Sequence, residues 1–302
     1  TTGPGPAVGL DDASSIFHNT AAWVFGGRDP GGIYKDTAYW LDTSSTPYVW
    51  STYALTGLRK PQSRGRAALV NVGSDVFLFG GKNLVGMFGD VWKIDLFTGA
   101  CTQPSPEGIR PQGRKTPAAT WVDGEGAGYV YGGICDYGVS DELWRLEYST
   151  GKSMLEWFLV ETNPTSATSP PQLQGASLVY DTANSRLLLF GGNKASSGTA
   201  LLQNATYSFD SGTSVWSLLT PSGTLPVARM NHSACFDSIN SRMVIFGGQD
   251  SNATTPFRND VQFLNVASPS GNWVQATIMA GSIDGRTEAF CGITAAGDRM
   301  IV

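Results

Sequence analysis

The chain has 302 residues, a net charge of −5, and 41% hydrophobic, 11% aromatic and 15% charged residues. That composition supports a large buried core and excludes a disordered polypeptide. The charges are spread without acidic or basic runs, which excludes the clustered cationic face of a nucleic-acid binder. Apolar stretches of four to six residues fall far below the roughly 20 needed for a membrane-spanning helix.

Residues Thr1 to Pro6 are rich in Gly and Pro and read as a linker, with the option of a closing strand near Ala7 to Leu10; residues 1–13 are thereby set apart from the rest of the chain. Ser14 to Asn19 then supplies a first strand. Trp23-Val24-Phe25-Gly26-Gly27 comes next, and this apolar run ending in two glycines returns at Phe77–Gly81, Tyr129–Gly133, Leu188–Gly192 and Val244–Gly248. Successive first glycines, at 26, 80, 132, 191 and 247, lie 54, 52, 59 and 56 residues apart. A period near 50 is that of four-stranded propeller blades.

Each repeat has one grammar. A strand of small and apolar residues, such as Arg66–Val70, leads into a tight turn such as Asn71–Asp75 or Asp181–Ser185. The second strand is apolar throughout, as expected when both faces are covered. A variable loop leads to a third strand with an aromatic residue (Trp40, Trp92, Trp144, Phe209 or Tyr207), for which the fifth repeat has Gln262. The fourth strand carries Trp50, Trp157, Trp216 or Trp273, with Cys101 near that place in the second repeat.

These features resemble the kelch-repeat β-propeller family, including the central propeller of galactose-oxidase-like enzymes. The resemblance implies an all-β fold of four-stranded antiparallel blades at 14–57, 64–105, 114–162, 173–221, 229–279 and 286–302. Six blades are expected in one domain over 14–302, seven if the unseen part is longer. The sixth stops before its own glycine pair, so the natural protein is expected to continue past Val302.

In such blades the loops after the glycine pairs and the blade-to-blade loops share one face, where binding is expected. Arg64, Arg114, Arg229 and Arg286 enter the first strands at equivalent places. They suggest either a guanidinium ring for carboxylates or sulfated sugars, or inter-blade hydrogen bonds. The loops carry Ile33, Tyr34, Leu84, Val85, Met87, Phe88, Tyr137, Leu201, Leu202 and Phe257, either a contact patch or packing against the next blade. Val85 to Phe88 is the best contact tip.

The copper oxidases of the kelch group hold their metal with two His and two Tyr. This chain has only His18 and His232, expected not to converge, so no metal, cofactor or catalytic residue is assigned. The resemblance implies a structural role for His232, since kelch repeats frequently place a His shortly after this Arg.

Three sequons occur. Asn252 and Asn204 are expected to carry glycans, and Asn231, beside the inner strand, to be poorly modified. The four cysteines suggest two bridges, Cys235–Cys291 and Cys101–Cys135, against free buried thiols. The resulting expectation is a non-enzymatic secreted or cell-surface binding module of a larger assembly, recognising protein or glycan. The alternatives are a sugar-acid isomerase or degenerate oxidase, and a cytosolic kelch adaptor.

Overall fold

The structure is a computed structural model and describes residues 9–44, 47–149, 154–160, 168–199, 201–277, 285–287, 289, 291–293 and 300–301. The segment expected as linker or closing strand lies mostly outside these residues, as does the sixth repeat's turn at 295–297. Contacts gather the chain into two compact units, Thr1–Val130 with Trp144–Leu159, and Tyr131–Leu143 with Val160–Val302.

Five sheets are described, each built on four antiparallel strands that neighbour one another in chain order. The first comprises Ser14–His18, Ala21–Phe25, Ala38–Asp42 and Val49–Tyr53. The second comprises Ala68–Val72, Asp75–Phe79, Val91–Asp95 and Cys101–Thr102. Ala118–Val122, Ala127–Tyr131, Leu143–Ser149 and Met154–Val160 form the third. The fourth has Ser177–Asp181, Arg186–Phe190, Thr206–Asp210 and Val215–Leu219. Ser233–Asp237, Arg242–Phe246, Val261–Asn265 and Asn272–Gln275 complete the fifth. Gly292–Ile293 and Met300–Ile301 pair as a short further hairpin.

Every second strand ends immediately before a glycine pair, and the pair is required twice over. Both glycines take left-handed φ, 68° and 88° at Gly26 and Gly27, 68° and 91° at Gly247 and Gly248. A Cβ on Gly26 would stand 2.1 Å from the Arg64 carbonyl oxygen, a backbone approach that no side chain permits. The second glycine's N–H donates to the next repeat: Gly27 to Arg64, Gly81 to Arg114, Gly133 to Leu173, Gly192 to Arg229 and Gly248 to Arg286, all at 2.8–2.9 Å.

Packing repeats with the same period. In the first unit Trp157 meets Phe79 of the preceding sheet with ring centroids 5.0 Å apart, and in the second Trp273 meets Phe190 at 4.9 Å. Burying such a ring contributes about 1.5–3 kcal/mol each. Where the second sheet has Cys101 instead of Trp, Leu55 from the linker joins Phe25, Trp92 and Cys101 in one cluster.

Outer strands are covered by pieces of the linkers. Thr56 bridges Ala100 in parallel, Pro106–Glu107 pairs with Leu155–Glu156, and Ser222–Gly223 pairs with Asn272–Trp273. A short parallel strand satisfies the outer edge's orphan groups and blunts it against pairing with other chains.

Candidate functional site

The arginines do not form an open ring. Arg64, Arg114 and Arg229 have no exposed surface. Arg64 forks onto Asp90 (2.5 and 2.9 Å) and donates to the Gly80 carbonyl at 2.9 Å and that of Gln62 at 3.1 Å. Arg229 repeats this on Asp260 (2.7 and 2.8 Å), Gly247 and Val227. Arg114 donates through Nε to Gln112. With carbonyl held by the preceding glycine pair and guanidinium held within its own sheet, the Arg latches one repeat to the next. These three are therefore withdrawn from the ligand-binding set. Arg286 has an exposed side chain, and its backbone takes the same part through Gly248 and Arg258.

The latch explains two departures in the repeat. The first glycine's N–H marks the carboxylate position, bonding Asp90 in the second sheet and Asp260 in the fifth, but Ala205 in the fourth and Thr37 in the first. The fourth sheet has Leu173 where the Arg belongs, and the first has Leu10. Cation and anion are lost together, so no buried charge is stranded. Gln262 is explained as well: its amide donates to Asp260 at 2.8 Å, as the Trp92 indole donates to Asp90 at 2.7 Å.

His232 is buried, its Nε2 2.8 Å from Ser177 Oγ and its ring edge-on to Phe190. Burial, and then the Arg229 charge, hold its pKa down to about 3, against the pull of Asp260. His18 is half-buried beside Asn19 and shifted down by burial. Among the described residues no three His, Cys, Asp or Glu side chains gather as a metal site. A base whose pKa is lower folded than unfolded leaves the unfolded chain binding more protons, so stability falls as pH falls from 6.5 toward 3. Urea unfolding is expected to show about 2 kcal/mol lost between pH 7 and 5 through His232, with His18 adding in the same sense. The lowered carboxylates Asp237 and Asp260 act only nearer their own ordinary range. His232→Gln should flatten the slope, and an unchanged slope in that variant would sink the assignment.

The loops after the glycine pairs divide into anchors and tips. The residue after each pair bridges back to a return residue: Arg28 to Tyr34, Lys82 to Met87, Asn193 to Leu202, Gln249 to Phe257. Tyr34 is buried at 7% exposure with its hydroxyl on Asp12, and Phe88 lies 3.8 Å from the Arg64 guanidinium. Tyr34 is thus packing, not surface, and Met87 and Phe88 are half-buried. Val85 (95% exposed) and Leu84 (85%) project outward, on a turn whose Val85 and Gly86 N–H groups donate to Asn83 Oδ1. Asn83 Nδ2 ties that turn to the Ser63 carbonyl. Tyr137, Phe257, Ile33 and Leu201 are exposed in their own loops. Sequence reasoning did not single out Leu58, Ile109, Leu225 and Val227, exposed apolar residues of the connecting segments. Their only signal was an isolated apolar residue amid Pro, Ser and Gly.

Asn252 is exposed, with Oδ1 accepting from Thr254 and Thr255, and Asn204 is exposed beside the Pro226 carbonyl. Asn231 is half-buried at φ 53° with its N–H on Gly175. Cys235 and Cys291 are bonded. The expected Cys101–Cys135 bridge is corrected: both thiols are free and buried, donating to the carbonyls of Gly99 and Gly138.

Repeated four-stranded antiparallel sheets, paired glycines and latching arginines define a kelch-type β-propeller. The chain belongs to the Attractin/LZTR1 beta-propeller family, whose profile matches residues 22–268. It is similar to Multiple epidermal growth factor-like domains protein 8 of Mus musculus, 30% identical over 283 residues covering 86% of this chain and 10% of that protein. Kelch domain-containing protein 3 of Bos taurus is 29% identical over 144 residues, 46% of this chain and 36% of the other. The flagellar outer arm dynein alpha chain of Chlamydomonas reinhardtii is 27% identical over 241 residues, 75% and 5% of the two chains. The chain thus spans about a tenth of the length of the epidermal growth factor-like relatives.

Proposed function

We propose that the chain is a non-enzymatic binding module of a larger extracellular or cell-surface protein, engaging a partner through the loops that extend from its glycine pairs. The carrying observation is the Leu84–Val85 tip: two exposed aliphatic side chains on a turn fixed by Asn83. An apolar tip on a rigid sheet costs little ordering on binding and suits a protein surface better than a glycan. The Cys235–Cys291 bond supports an oxidising compartment. The same holds for similarity to a protein named for epidermal growth factor-like domains, since such domains are disulfide-dense. The hairpin Gly292–Ile293 with Met300–Ile301 supports a sixth blade. The exposed Asn252 and Asn204 suit glycosylation.

The test is capture of cell-surface proteins by the immobilised chain. Leu84→Asp combined with Val85→Asp is expected to weaken capture about tenfold or more while stability stays within about 0.5 kcal/mol. Phe97→Asp, exposed at the opposite end of the same sheet's third strand, serves as control. Equal loss from both variants, or none from the tip, would overturn the proposal.

A further inference from the structure

The rung beside each glycine pair carries a different charge balance in successive repeats. In the first it is Asp11 against Arg28, closed by a 2.7 Å ion pair. In the second it is Gly65 against Lys82, so the cation stays while its carboxylate is replaced by a hydrogen. Lys115, directly after Arg114 as Gly65 is directly after Arg64, holds the corresponding place one repeat on. In the second unit the rungs are uncharged, Gln174 with Asn193 and Met230 with Gln249.

Arg66 stands with the two lysines. Its Nε donates to Asp12 Oδ1 at 2.6 Å, and Asp12 is buried, with Tyr34 also on it. Asp12, Arg66 and Thr116 share left-handed φ of 62°, 59° and 53°, and each later N–H donates to the earlier carbonyl. Three non-glycine residues in that strained region, linked in series, hold this rim in one geometry. Among the described residues neither Lys82 nor Lys115 has a carboxylate partner; Lys82 only overlies the Tyr34 ring at 5.9 Å. Burial, then Lys82 and Arg66, push Lys115 below the usual lysine range, with Asp12 opposing. Lys82 and Lys115 thus stand beside Arg66, whose bond to Asp12 is already made, an arrangement that a bound anion relieves.

We infer that Lys82, Lys115 and Arg66 form an anion-recognition site for a carboxylate side chain of an acidic polypeptide segment. The patch holds Asp12 within it and has the Asp11–Arg28 pair on the neighbouring rung, on a chain of net charge −5, so one carboxylate fits it better than a long sulfated polymer. Lys82 lies in the same loop as Leu84 and Val85, so the inference rests on the binding-face reading and adds a charge requirement for the partner.

The test uses the whole chain and a fluorescently labelled decapeptide of alternating Glu and Gly, with a heparin-derived oligosaccharide in parallel, read by anisotropy at low and physiological salt. The peptide is expected to bind, and Lys82→Gln with Lys115→Gln to weaken it about tenfold, while Lys194→Gln in the second unit has no effect. The double variant should unfold at the same or a higher temperature, because like charges are removed, so lost binding is not lost folding. Peptide binding should also raise the Lys115 pKa measured by NMR. Binding unchanged in the double variant, no peptide binding at all, or binding of the oligosaccharide alone would each overturn the inference. If tip variants abolish partner capture while the lysine variants leave it intact, this inference falls and the binding-face reading stands.

Discussion

Arg229→Leu is expected to destabilise the chain by about 3–5 kcal/mol, because it removes one partner of a buried ion pair and strands the other. Asp260 loses two charge-assisted bonds, and the Gly247 carbonyl loses the donor that tied it to the incoming strand. Burial pushes the Asp260 pKa up; the Arg229 bond and charge, helped by Gln262, reverse this and hold it low. Without the guanidinium, burial is opposed by the Gln262 amide and a backbone hydrogen bond alone. Arg229→Leu with Asp260→Ala should recover a large part of the loss, since the molecule already uses that combination at Leu173 with Ala205. The measurement is a double-mutant cycle by chemical denaturation. A double variant whose loss equals the sum of the two singles would show that latch residues act independently, and the account of Leu173 and Ala205 would fail with it.

Local chemistry was legible and long-range pairing was not. Five apolar runs ending in glycine pairs located the end of each of those second strands to the residue, because the left-handed φ and the backbone approach admit no other residue there. The outer-strand tryptophans were legible for the same reason: a large ring has few places to go. The role of the arginines stayed open because Asp90 and Asp260 lie 26 and 31 residues downstream. Spacing alone cannot say whether a guanidinium meets solvent or a carboxylate. Tyr34 and Val85 look alike in a loop sequence, and only the Arg28–Tyr34 bridge separates anchor from tip. The covering strands at Thr56, Pro106–Glu107 and Ser222–Gly223 have no apolar period to read. They form because an outer strand offers unpaired backbone groups nearby.

Cys235→Ala is expected to cost about 2–5 kcal/mol, since its bond to Cys291 closes a 56-residue separation and restricts the unfolded chain. The effect should exceed that of Cys101→Ala or Cys135→Ala, whose thiols only fill space and make weak hydrogen bonds. The contrast can be read in one sample. A chain secreted by eukaryotic cells, unfolded without reductant and alkylated, should show two modified cysteines by mass, and N-linked glycans at Asn252 and Asn204. After reduction it should show four, and its unfolding midpoint should fall as for Cys235→Ala. Four alkylations before reduction would remove the bond, and unglycosylated asparagines besides would leave secretion without support. A chain with two thiols and two glycans would instead join the fold to an oxidising setting, where a disulfide ties the fifth sheet's inner strand to the segment entering the next hairpin.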